Sequence, residues 1–165
     1  MREIPLTQGK VALVDDGDYD RVVAFSSWCA WRNRSGNWYA QGHDRAKKSR
    51  VYMHRMVLGF PAFKVDHHDR DGLNNQKQNL RPATRSQNQS NSRVRSKTGL
   101  KGVVREKRPR PSPWRAQITI NGKNRGLGSF QTSEEAAAAY DFAARSAFGE
   151  FALTNSQLGL INQPT

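Results

Sequence analysis

The stretch from Val65 to Asn91 holds the side chains of this chain best suited to chemistry: Asp66-His67, a loop dense in Asp and Asn, Asn79-Leu80-Arg81, and Asn88. A neutral imidazole with a reference pKa of about 6.5 can take a proton from water near neutral pH. Carboxylate and amide oxygens suit a hard divalent cation, whose shell water and phosphate oxygens would complete. Together these are the needs of phosphodiester hydrolysis, in which a water must be deprotonated and a leaving 3′-oxygen stabilised. The plain alternative is a solvated polar turn, and Asn79 taken alone is a common turn residue.

The charge balance points to the same substrate class. The 165 residues include 27 Lys+Arg against 14 Asp+Glu, a formal net charge of +13. Such a field draws in polyanions, nucleic acid foremost. Residues 1–30 carry five acids and three bases, whereas residues 93–125 carry eleven bases and one acid, Glu106. A basic stripe inside the chain favours a folded binding surface over a charged tail. Cys29 is the sole cysteine, which excludes an internal disulfide and a structural zinc on paired cysteines. The opening MREIPLTQGKVALVDD lacks the apolar core of a signal peptide, and no apolar run approaches the roughly 20 residues that span a bilayer. A soluble, cytoplasmic protein with no membrane partner is expected.

The elements that must position these residues can be read from pattern. Phe63–His67 reads as a strand ending at the acid and histidine, and Asn79-Leu80-Arg81 as its returning partner. Thr84-Arg85-Ser86-Gln87 is a capping box, so a helix starts there with Asn88 in its first turn. The order is ββα. Upstream, residues 3–58 read as short strands and turns: Lys10–Val14 is a strand ended by Asp15-Asp16-Gly17-Asp18, and Val51–Leu58 is a strand or a short helix. Trp28, Trp31, Trp38 and Tyr39 fit the packing of a small twisted sheet, with base stacking the lesser reading. Residues 92–101 read as a polar basic linker.

Downstream, Gly102–Lys107 is a strand. Arg115–Asn121 alternates strictly, with Ala116, Ile118 and Ile120 on one face and Arg115, Gln117 and Thr119 on the other. Asn121-Gly122 is a type I′ hairpin signal. Arg125–Phe130 is a third strand, with Gly126 and Gly128 permitting a bulge. Thr132-Ser133-Glu134-Glu135 is a second capping box. It opens an alanine-rich helix over 134–148 with Ala136, Tyr140, Ala143 and Ala147 on one stripe and Gly149 as C-cap.

The pattern Asp66-His67, Asn79-Leu80, Asn88, flanked by Tyr52-Met53-His54-Arg55, resembles the HNH homing endonucleases of phages and mobile introns, the branch in which Asn replaces the last His. The resemblance, with the chemistry above, implies His67 as general base, Asp66 and Asn88 as ligands of Mg2+ (or Mn2+), and Asn79 as a brace that orients the His67 ring. His68, Asp69 and Asp71 are weaker candidates, Asn91 an outer support, and His54 and His43 are expected to be structural. Residues 99–155 resemble the plant ethylene-response-factor (APETALA-type) DNA-binding domain through Lys101-Gly102-Val103, Trp114–Ile118, Leu127–Phe130, Glu134–Asp141, Phe148-Gly149 and Asn155. That likeness implies base contacts to double-stranded DNA from Arg105, Arg115, Gln117, Thr119 and Arg125, and phosphate contacts from Lys101, Lys107 and Lys123. Val104 stands where an Arg is usual, Gly126 where a Trp is usual, and Lys107–Pro113 is a proline-rich insert, so plant target sites do not carry over.

The expected architecture is α+β. A small β-rich region (1–50) precedes an HNH ββα-metal element (51–95), a basic linker (96–101), a three-stranded antiparallel sheet packed on one helix (102–156), and a tail (157–165). The expected function is a DNA endonuclease directed by its C-terminal sheet, monomeric, in a phage-infected or bacterial cell. A DNA-binding regulator with a vestigial nuclease motif is the alternative, and an RNA-binding protein a third, weaker one.

Overall fold

The computed structural model describes residues 1–94 and 96–162, as two compact units, Met1–Ala83 and Thr84–Thr165. The fold is α+β, built from small antiparallel sheets and short helices. The units part at the end of the second strand of the ββα motif. Neither the 50/51 nor the 95/96 boundary expected from sequence coincides with that division.

The first unit begins with β1 (Arg2–Pro5) paired to β2 (Val11–Val14). The acidic run after β2 is not a turn but the start of a helix, α1 (Asp16–Phe25). Asp16 and Asp18 in its first turn suit the positive end of the helix dipole. A meander follows, β3 (Cys29–Arg32), β4 (Trp38–Asp44) and β5 (Ser49–Tyr52), in the order β3-β4-β5. The ambiguous 51–58 segment divides between the end of β5 and a short helix, α2 (Met53–Val57). Then β6 (Lys64–His67) pairs with β7 (Leu80–Ala83). The core joins all of these: Val14, Val22 and Met53 are fully buried and pack with Ala40, Val65 and Leu80. Residues 1–50 are therefore not a separate domain but supply about half of the core on which β6 and β7 rest.

The second unit opens with α3 (Arg85–Ser90), closed at its N-terminus by the expected box: Gln87 N donates to Thr84 Oγ1 at 3.2 Å and Thr84 N to Gln87 Oε1 at 2.8 Å. A sheet in the order β10-β9-β8 follows: β8 (Val103–Arg105), β9 (Trp114–Ile120) and β10 (Lys123–Phe130). Asn121 and Gly122 take φ of 50° and 78°, as a type I′ turn requires, and the register slips between Gly126 and Gly128. One face of the sheet packs on α4 (Ser133–Phe148), whose capping box is also formed.

The buried stripe of α4 is Ala136, Ala137, Tyr140, Ala144 and Phe148. Ala147, expected within it, is exposed. The stripe holds small residues because the sheet lies close: a Cβ on Gly102, already at φ +70°, would stand 1.9 Å from Tyr140 Cδ2. A buried polar network closes the unit. Asp141 Oδ1 accepts from Asn155 N (2.7 Å) and Nδ2 (2.9 Å), and Asn155 Oδ1 accepts from Lys101 N at 2.7 Å. Leu100 and Lys101, expected in a linker, are thus buried parts of this unit; Arg95, also expected near that linker, lies outside the described residues.

Candidate functional site

His67 is the last residue of β6 and is buried, as is Asp66 before it. Asp66 is paired across the ladder with Arg81, and its Oδ2 accepts from Arg81 Nε at 3.0 Å and lies 2.9 Å from Nη2. This is a fork contact between two side chains that are both largely shielded from water.

The loop between β6 and β7 is tied by its own side chains. Asn79 Oδ1 accepts from Asp69 N at 3.0 Å, and Asn79 Nδ2 donates to Asp69 Oδ1 and Asn74 O, both at 2.9 Å. Asp69 also accepts from Asp71 N and Asn74 Nδ2, each at 2.8 Å. Asn79 thus braces the loop, and Asp69 is its principal partner. The amide beside the His67 imidazole is that of Asn75, which is fully buried and anchored through Nδ2 to Leu73 O at 2.9 Å. The sequence pattern gives the ring-orienting role to Asn79; in the structure Asn79 is tied to Asp69 and Asn74, and Asn75 stands nearest the ring among the loop amides. The two lie four positions apart in one polar run, and only the folded path shows which amide meets the ring.

The loop is also held from outside. Leu13 of β2 donates to Leu73 O at 2.9 Å and accepts from Asn75 N at 2.8 Å, adding a parallel bridge to the strand. Asp15 Oδ2 accepts from Lys77 N at 2.8 Å, and Lys77 Nζ stands 2.9 Å from buried Asp18 on α1. Burial raises the Asp18 carboxyl, but Lys77 and Arg21 beside it outweigh that and hold it below the ordinary carboxylate value. At the other side a Cβ on Gly72 would lie 2.3 Å from Trp38 O, so β4 and the loop touch backbone to backbone. The N-terminal region is the clamp on the loop that carries Asn75 and Asn79.

An aromatic wall surrounds the imidazole. The His67 ring meets His54 edge-on at 5.0 Å and Tyr39 at 6.0 Å, and His54 stacks on Tyr52 at 5.4 Å. Burial pushes His67 below its usual value of 6.5, while Asn75, Asp69, Asp66 and Asp71 act in the opposite sense. His54 is pushed down to about 3, first by burial and then by His67 and Arg55. A neutral His67 at physiological pH is the form that accepts a proton. His68 and Asp71 are exposed.

Asn88 and Asn91 stand in the second unit, Asn88 as the fourth residue of α3 and Asn91 at its C-terminal end. Among the described residues no group of three or more His, Cys, Asp or Glu side chains is arranged to hold a metal. Any metal here would rest on fewer carboxylates, with amide, water and phosphate oxygens.

The C-terminal sheet corrects the expected contact set. Cross-strand partners share a face. Arg115, Gln117 and Thr119 lie on the face away from α4, opposite Val104, Gly126 and Asn124. Lys123 pairs with Ile120, Arg125 with Ile118 and Arg105 with Trp114, so these three bases belong to the helix-side face, exposed at its margins. The reason is the side-chain period of two: alternation within β9 was legible, but the register of β8 and β10 was not. The outer face gains Asn124, missed from sequence, whose Nδ2 donates to Gln117 Oε1 at 3.1 Å. Lys107 is exposed. Lys101 is buried and its ammonium donates to Ser90 O, so it is withdrawn from the phosphate contacts. Trp114 packs against the core of the unit.

Among the described residues no helix is long and apolar enough to cross a membrane. No protein-family model matches the chain. Over 92 residues it is 37% identical to an uncharacterized HNH endonuclease of Acanthamoeba polyphaga mimivirus, a match covering 55% of this chain and 46% of that protein. The chain therefore spans about half the length of the relative it matches, and over that span its likeness is to an HNH endonuclease.

Proposed function

We propose that this chain is an HNH-type DNA endonuclease that hydrolyses phosphodiester bonds with one divalent metal and is directed to DNA by the outer face of its C-terminal sheet. The observation that carries the reading is the buried His67 at the end of β6, flanked by Asp66 and held by a cross-tied loop whose Asn75 amide adjoins the ring. The likeness to a viral HNH endonuclease supports it.

His67 takes the proton of the attacking water. Asn75 orients the imidazole, and Asn79 keeps the loop from collapsing onto it. Mg2+ or Mn2+ would be held by Asp66, and the sequence resemblance adds Asn88. Such an ion usually keeps several waters and takes one or two carboxylates plus substrate phosphate oxygens. When bound it supplies stabilisation of charge on the leaving oxygen. Arg115, Gln117, Thr119 and Asn124 form a polar face able to address base edges in a major groove, and Lys107, with Lys123, Arg105 and Arg125 at the margins of the sheet, would reach flanking phosphates.

One observation favours the second reading, a DNA-binding regulator with a vestigial nuclease. The Arg81 fork already neutralises Asp66 Oδ2, an arrangement that also serves a purely structural strand pair. Supercoiled plasmid with Mg2+, with and without EDTA, separates the two. The endonuclease nicks or linearises it, EDTA stops the reaction, and His67→Ala lowers the rate by about 100-fold or more with DNA binding retained. A wild-type chain that binds duplex DNA and leaves it intact would establish the regulator.

A further inference from the structure

The outer face of the β3-β4-β5 sheet adjoins His67 and His54 through Tyr39 and Tyr52 but takes no part in the proposed hydrolysis. Its inner face, Ala30, Ala40, Gly42 and Val51, is buried in the core. The cross-strand pairs Trp31↔Tyr39, Gln41↔Tyr52 and His43↔Arg50 therefore define the opposite face. Trp31, Tyr39 and Tyr52 are only half-buried there. Their rings form one cluster, with centroids 6.1 Å (Trp31–Tyr39), 5.8 Å (Trp31–Tyr52) and 6.0 Å (Tyr39–Tyr52) apart. The cluster runs directly into His54 and His67.

Three partly exposed rings in a strongly basic protein suit a partner with both π-faces and negative charge. Residues 29–55 carry seven bases and one acid, Asp44. That acid is buried in a turn, accepting from Ala46 N and Lys47 N at 3.0 Å each. Arg50 is exposed on the same face as the rings. Paired duplex bases show only their edges and hide their faces, whereas an unpaired base offers a face to a ring and a phosphate to a nearby base.

We propose that this face is a stacking platform for an unpaired stretch of the nucleic-acid strand, with Trp31, Tyr39 and Tyr52 receiving bases and Arg50 its phosphates. It leads the strand to His67, and it rests on the nuclease reading for the identity of the partner. It is a binding surface distinct from the C-terminal sheet and acts on a different form of DNA.

The test uses the full chain in EDTA, so that no cutting occurs. A single-stranded oligonucleotide carrying 5-iododeoxyuridine is bound and irradiated, and the adduct is mapped by peptide mass spectrometry. The expected adduct lies on Trp31, Tyr39 or Tyr52. In fluorescence anisotropy Trp31→Ala weakens binding of the same oligonucleotide about tenfold with an unchanged salt slope, Trp31→Phe stays within about threefold, and Arg50→Ala lowers the slope by about 0.7. Adducts confined to residues 84–162, or single-strand binding by Trp31→Ala as tight as wild type, would overturn the proposal. Because the mapping needs only the wild-type chain, poor folding of a variant does not blunt it. Failure here leaves plasmid cutting unaffected, and failure to cut plasmid leaves the adduct map unaffected.

Discussion

The two units handle polar chemistry in opposite ways. In Met1–Ala83 the important polar groups are turned inward: Asp66, His67, Asn75, Asn79 and Asp18 are all buried, and Asp66 is tied by Arg81, Asp18 by Lys77, Asn79 by Asp69 and Asn75 by backbone. In Thr84–Thr165 the polar groups offered to a partner are turned outward on a sheet face, and burial is reserved for a structural network around Asp141 and Asn155. A group that must act on one atom needs its geometry over-determined, which burial and short ties provide. A surface that must meet a long polyanion needs only side chains in register, and exposure leaves them free to adapt.

The sharpest test of this contrast compares two charge deletions. Asp66→Ala leaves Arg81 shielded without its carboxylate, and the expected loss is about 3–5 kcal/mol in urea denaturation. Arg115→Ala, on the exposed face, should leave stability within about 0.5 kcal/mol and instead lower the slope of duplex binding against log salt by about one. Equal stability losses in the two variants would break the contrast.

Two glycines extend the comparison to sterics. Gly102→Ala meets Tyr140 at 1.9 Å from a left-handed backbone, and a loss of about 3 kcal/mol with weakened duplex binding is expected. Gly72→Ala meets the Trp38 carbonyl at 2.3 Å, and the expected effect is a loss of up to about 3 kcal/mol together with loss of plasmid cutting, while duplex binding persists. Thermal melts paired with binding and cutting assays report both.

Acid separates the units further, because all four histidines lie in the first. The folded-state pKa of His54, about 3, lies below its ordinary 6.5, so the unfolded chain binds more protons in between. The stability this provides is complete above pH 6.5 and is lost as pH falls toward 3. His67 shifts in the same direction. From pH 6.5 to 5 His54 alone contributes a loss of about 2 kcal/mol. Amide hydrogen exchange should show protection falling in residues 1–83 before it falls in residues 84–162. The smallest effect belongs to the hairpin: Asn121→Ala at φ +50° should cost about 1 kcal/mol, read as a small drop in melting temperature.

Local signals carried much of this structure. The two capping boxes, the Asn121-Gly122 turn, the Gly126/Gly128 bulge and the alternation of Arg115–Ile120 each depend on neighbours a few positions away, and each is present. Helix α1 was missed because Asp15-Asp16-Gly17-Asp18 reads equally as a turn or as an acidic first helical turn. The contact between His67 and the aromatic wall was missed because Trp31, Tyr39, Tyr52 and His54 are spread over β3, β4, β5 and α2.

By itself the sequence determined the residue types on offer, the ββα order around Asp66-His67 and the strand-turn-strand-helix pattern downstream, because side-chain periodicity, capping and turn chemistry are local. Tertiary structure decided which amide meets His67, that residues 1–50 clamp its loop, that Lys101 is buried, and that Asn124 shares the outer face while Arg105, Lys123 and Arg125 do not. Those outcomes depend on strand register and on the close approach of distant segments, and a shift of one residue in register sends every side chain of a strand to the other face.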